Sequence, residues 1–125
     1  MAQVIEIVEK EMSHLDYLLI IHIKSLREKN GWTQQELSKR MGVAVSFVGN
    51  VENLTERHKY SIRHLGLLKK AFNYTNISQL FDFKGPTHDQ VILTIEITRS
   101  NNEDGKKNRI IKSELKSIKL ENQLI

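Results

Sequence analysis

Apolar residues recur at helical spacing over the first two thirds of the chain and alternate like a strand in the last third. Leu15, Leu19, Ile23 and Leu26 repeat every three or four positions, which predicts a helix opened by Ser13, with Asp16 near its positive end. Asn30-Gly31 ends it. Upstream, Ile5, Val8 and Met12 carry on the same spacing, so residues 1–12 are expected to form an N-terminal helical extension. Leu37 and Met41 make the buried stripe of a second helix. Thr33 and Glu36 form its capping box, and Gly42 can take the positive φ that stops it. Val43, Val48 and Val51 then give the inner face of a third helix over 44–52. Ala44, Val45, Ser46, Phe47, Gly49 and Asn50 are left mostly outside.

Ser61 caps a fourth helix whose inner face reads Ile62, Leu65, Leu68 and Phe72. Asn73 to Asn76 breaks it, and a last turn from Ile77 to Phe81 is expected to bury Leu80 and Phe81. Gly85-Pro86 marks a boundary. Beyond it, Val91, Leu93, Ile95 and Ile97 alternate with Ile92, Thr94, Glu96 and Thr98, the pattern of a strand with one apolar face. Asn101 to Asn108, with Asp104-Gly105 inside it, suits a hairpin connection. Ile110 to Leu120 reads as a returning strand, although Ile111, Leu115 and Ile118 also fit a helix. A hairpin alone is marginally stable, so its apolar face must cover the helices or meet a second subunit.

Composition narrows the function classes. With 125 residues there is room for one compact domain and an appendage. No cysteine is present, which removes disulfides, thiol catalysis and cysteine-based zinc sites. No apolar run reaches the length of a membrane span, and MAQVIEIVEKEM lacks the pattern of a signal peptide. A cytoplasmic location, including the nucleoid of a bacterium, is the expectation. Of the net charge of +4, residues 1–21 hold −3, residues 22–80 hold +6 and residues 81–125 hold +1. The surplus sits in the central helices, where it would attract phosphate. His14, His22, His58, His64 and His88 show no metal-ligand spacing, no glycine-rich loop follows a strand, and the acids are scattered among bases. No metal, cofactor, small-molecule substrate or enzymatic activity is expected.

The run TQQELSKRMGVAVSFVGNVE, from Thr33 to Glu52, resembles the helix-turn-helix of the lambda-repressor-like (Cro–repressor, XRE-type) family. IHIKSLREKNGWTQ before it and SIRHLGLLKKAFNYTNISQLF after it are similar to that family's first, fourth and fifth helices, so the resemblance spans about Ile20 to Phe81. It implies a mainly α protein: a five-helix DNA-binding domain over 13–84, with the helical extension over 1–12 and a C-terminal β-hairpin extension over 85–125. The hairpin is the expected dimerisation element of a homodimer, since two recognition helices must be presented together to read a two-half site. The resemblance also implies a structural ion pair between Arg27 and Glu52.

Carried over by position, backbone contacts to double-stranded DNA would come from Gln34 and from Asn53, Arg57 and Lys59 in the loop after the third helix. Base edges would meet Ala44, Val45, Ser46 and Asn50. Here the chain departs from the usual readers, because only Ser46 and Asn50 can hydrogen-bond to a base. Asn50 could pair with adenine, and Val45 or Ala44 could pack on a thymine methyl. Phe47 faces the groove edge, joins a protein-binding patch with Val45, or tucks back towards the core. The function expected is a small transcriptional regulator. A protein-interaction module on the same fold, or an antitoxin-like regulator, is the alternative.

Overall fold

The structure, a computed structural model, describes residues 3–100 and 109–124. The proposed hairpin connection at Asn101 to Asn108 lies outside the described residues. Three strands and four α-helices follow in the order β1 (Gln3–Ser13), α1 (His14–Lys29), α2 (Gln34–Met41), α3 (Phe47–Glu52), α4 (Ile62–Ala71), β2 (His88–Ser100) and β3 (Ile110–Gln123). A 3-10 turn at Ile77–Phe81 stands where a fifth helix was expected.

The mainly α, five-helix expectation is therefore corrected. Strand accounts for 33% of the described residues and helix, the 3-10 turn included, for 39%. The correction comes chiefly from the N-terminus, where the helical extension over 1–12 is instead strand β1. Val8 and Met12 fit both periods, whereas Ile5 falls on the opposite face of the strand and is 63% exposed. Val4, Ile5, Ile7 and Val8 are β-branched and suit an extended backbone. A partner decides the matter: β1 pairs antiparallel with β2 along its whole length, from Gln3 opposite Ser100 to Ser13 opposite Gln90. Such pairing joins residues 77 to 97 positions apart, which local spacing does not encode.

β2 is the central strand, in the order β1-β2-β3. Residues 110–120, left between strand and helix by their spacing, are strand. β3 pairs antiparallel with β2, with register shifts that leave Lys116 and Ile111 as extra residues. Val91, Leu93, Ile95 and Ile97 share one face and are buried. Tyr17 and Leu18 of α1 pack against that row, together with Val8 and Met12 of β1.

A second apolar cluster fills the helical domain: Leu19, Ile20, Ile23, Leu37, Met41, Val48, Val51, Tyr60, Leu68, Ala71 and Leu80. α1 thus serves both cores, while Met12 and Leu54 touch each. Ser13 ends β1 and caps α1 at once, its side chain accepting from the Asp16 amide at 3.1 Å. Ile62, assigned to an inner face, is 88% exposed. It opens α4, where the first turn still projects beyond the core.

Candidate nucleic-acid interface

α2 is capped by Thr33, whose hydroxyl accepts from the Glu36 amide at 3.0 Å. It ends at Gly42 with φ 77°, which folds the chain back so that the Val43 amide reaches the Ser38 carbonyl at 3.1 Å. Ser38 is fully buried between the two helices. Its hydroxyl donates to the Gln34 carbonyl and accepts from the Val48 amide, each at 3.0 Å. The Val48 amide belongs to the first turn of α3 and has no partner within that helix. Ser38 thus ties the start of α3 to α2, a role its small size alone does not reveal.

α3 starts at Phe47, not at residue 44. Ala44, Val45 and Ser46 form the turn that enters it, closed by the Phe47 amide on the Ala44 carbonyl at 2.9 Å. All three are exposed, as is Asn50 one turn further on. The later start also decides Phe47, which turns inward. Its ring lies 4.4 Å from that of His64 and 6.0 Å from that of Tyr60, centroid to centroid. The largest apolar group of the helix-turn-helix is thus half-buried, and Val45 stays 48% exposed beside it.

The C-terminal end of α3 is held by charge. Arg27 Nε and Nη2 donate to the two Glu52 oxygens at 2.8 Å each, and Nη1 donates to the Trp32 carbonyl at 2.7 Å. Both side chains are largely buried, at 10% and 2% exposure. Hydrogen bonding to Glu52 holds the guanidinium pKa above its ordinary value, outweighing burial. Gln34 Nε2 donates to the same Glu52 carboxylate at 3.0 Å. A Cβ at Gly49 would stand 3.1 Å from Gln34 Oε1, so the glycine lets that amide lie across α3. Gln34 itself is exposed at the opening of α2.

The loop after α3 is placed differently. Asn53 Oδ1 accepts from the Thr55 amide at 3.1 Å and its hydroxyl at 2.7 Å, so its carbonyl end is committed to the turn. Arg57 and Lys59 are exposed and line a cleft against β1, with Glu9, Glu11 and Asp16 across it. Lys59 Nζ lies 3.6 Å from Asp16 Oδ2. Ala44, Val45, Ser46, Asn50 and Gln34 therefore gather on the helix-turn-helix. Arg57 and Lys59 stand at the border with the sheet.

His64 is half-buried against Phe47 and Tyr60, although the spacing of Leu65 and Leu68 puts it on the outer side of its helix. His64 Nδ1 accepts from the Ser61 amide at 2.9 Å and lies 2.8 Å from the Ser61 hydroxyl. The spacing Ser-x-x-His is that of a capping box with histidine in place of Glu or Gln, and that signal could have found it. Burial, and then the charge of Arg63, lower the His64 pKa.

Two short helices at a sharp turn, one edge free and the other locked to α1, define a helix-turn-helix protein. Residues 23–78 match the model of the Helix-turn-helix family, of the XRE type and lambda-repressor-like. That segment is a helix-turn-helix domain of this family, the domain of DNA-binding regulators. Searches of curated proteins and of solved structures find no match.

Proposed function

We propose that this chain is a sequence-specific regulator that binds double-stranded DNA as a dimer, presenting the turn and α3 to the major groove. The observation that carries this reading is the contrast between the two sides of residues 44–52. Ala44, Val45, Ser46 and Asn50 are exposed together, while Ser38, Gln34 and the Arg27–Glu52 pair fix the segment from behind. A rigid edge with small side chains can approach base pairs closely. Asn50 supplies bidentate chemistry for adenine, and Val45 and Ala44 supply methyl contacts for thymine. Gln34 Nε2 gives one hydrogen to Glu52 and keeps a second that suits a phosphate, as do Arg57 and Lys59.

The inward packing of Phe47 supports this reading over a protein-interaction module, because it removes the main apolar anchor from the outer surface. No catalytic role is proposed, and the cytoplasm is the proposed location. Selection of duplexes from a random pool at low and moderate salt tests the function. Enrichment of an inverted repeat with half-sites ~34 Å apart supports a dimeric regulator. No enrichment at either salt overturns sequence-specific binding.

A further inference from the structure

β3 ends the sheet, with no strand beyond it among the described residues. Its apolar side chains are not those of a finished edge: Ile110, Leu115, Ile118 and Leu120 are 36–45% exposed. Leu115, Ile118 and Leu120 stand opposite Ile95, Leu93 and Val91, so they extend the buried row of β2 outward on the same face. The other face of β3 carries Lys112, Glu114, Lys116, Ser117, Lys119 and Glu121. Lys116 reaches Glu96 and Glu114 there, at 3.9 Å and 3.3 Å. The register shift at Lys116 puts two consecutive residues, Lys116 and Ser117, on this charged side.

That irregularity restricts how β3 can meet another strand. We infer that two copies of this chain join edge to edge through β3, antiparallel, with Lys116 opposite the partner's Ser117. This inference rests on the dimeric part of the proposed function. In this register Leu115 faces the partner's Ile118, and Ser113 faces the partner's Leu120, so the apolar row continues across the junction. Glu114 faces the partner's Lys119, and Lys112 faces the partner's Glu121. Every pair occurs twice, as a two-fold contact requires.

Sliding by one residue sets Leu115 against a residue of the charged face. Sliding by two in one direction opposes Glu114 to the partner's Glu121. The matched register alone keeps both the faces and the charges complementary. Lysines on an edge normally discourage pairing, but here two of the three meet a glutamate. The other free edge also exposes Val4, Ile5 and Ile7, but β1 holds Glu6, Glu9 and Glu11 against Lys10 alone, and that surplus of negative charge disfavours a second copy of itself.

Charge reversal tests the register. Sedimentation of the full chain should give a dimer at tens of micromolar. Glu114→Lys and Lys119→Glu should each weaken self-association at least ~10-fold, because each opposes like charges at two places. Mixed in equal amounts, the two variants should regain the parent's association, since each then meets its complement. Both positions are solvent-exposed, and circular dichroism verifies that the fold persists. A parent dimer indifferent to both reversals, or a mixture that stays dissociated, overturns this register. A monomeric parent that still selects specific duplexes overturns the dimer and leaves DNA binding standing. Restored mixtures without duplex enrichment leave the interface standing and remove the DNA reading.

Discussion

Arg27 and Glu52 meet in two parallel hydrogen bonds of 2.8 Å, joining the end of α1 to the last residue of α3. Removing either partner strands the other charge where water barely reaches. Arg27→Met or Glu52→Leu alone is expected to cost ~3–5 kcal/mol, and the double replacement less than the two single costs combined. Urea unfolding of the four proteins checks this. Strictly additive losses would show that the pair contributes no coupling.

Ser38 gives the Val48 amide its acceptor in a site closed to solvent. Ser38→Ala leaves that donor unsatisfied and should cost ~1–3 kcal/mol. Ser38→Gly adds no acceptor and should be worse still, through greater chain entropy. Chemical denaturation measures both, and an alanine variant as stable as the parent refutes the role.

Tyr60 presents the opposite case. Its hydroxyl is buried with no hydrogen-bond partner among the described residues, and burial raises its pKa. Tyr60→Phe keeps the ring against Phe47 and deletes the unsatisfied group. Stability should rise by about 1 kcal/mol. A loss of that size would reveal a hidden partner for the hydroxyl.

Burial lowers the pKa of His64, and it lowers that of His22 against the pull of Asp82. The unfolded chain therefore takes up protons more readily than the folded one. The stability linked to these neutral rings is complete above the unfolded value of about 6.5. It is lost as pH falls from there through the lower folded values. His64 has a second reason to stay neutral, since its Nδ1 accepts from the Ser61 amide. His64→Gln keeps a capping side chain without titrating, and should flatten the fall between pH 7.5 and 5 without abolishing it. An unchanged slope in urea midpoints would exclude His64.

Asn50 is the sharpest test of the proposed groove contact. Asn50→Ala should relax selection at one base pair and cost ~1–3 kcal/mol on the preferred site. Arg57→Ala should weaken all duplexes alike and reduce the salt dependence. Competition binding with single-base variants distinguishes the two. A uniform loss from Asn50→Ala would place it on the backbone.

The parts written in local chemistry could be read from the chain itself. The Thr33 cap, the Gly42 stop and the alternation of Val91 to Ile97 all depend on neighbours in sequence. β1 depends on a strand that follows after the whole helical domain; Val8 and Met12 suit either structure, while Ile5 keeps the helical period alone. Phe47 was ambiguous for a narrower reason: moving the first residue of α3 from 44 to 47 changes which way its ring points. Ile62 shows the same limit, since helical spacing marks a face without saying whether anything covers its first turn. Gln34 could be placed at the opening of α2, but its contact with Glu52 required Gly49 to be seen beneath it.

One rod connects the two ends of this molecule. α1 grows straight out of β1, meets the sheet through Tyr17 and Leu18, and finishes at the Arg27 clamp on α3. With the sheets of two copies joined, the gap between their recognition segments becomes a mechanical property of α1. Changes at Tyr17 would then alter the operator spacing that is tolerated, although that ring is buried against the sheet.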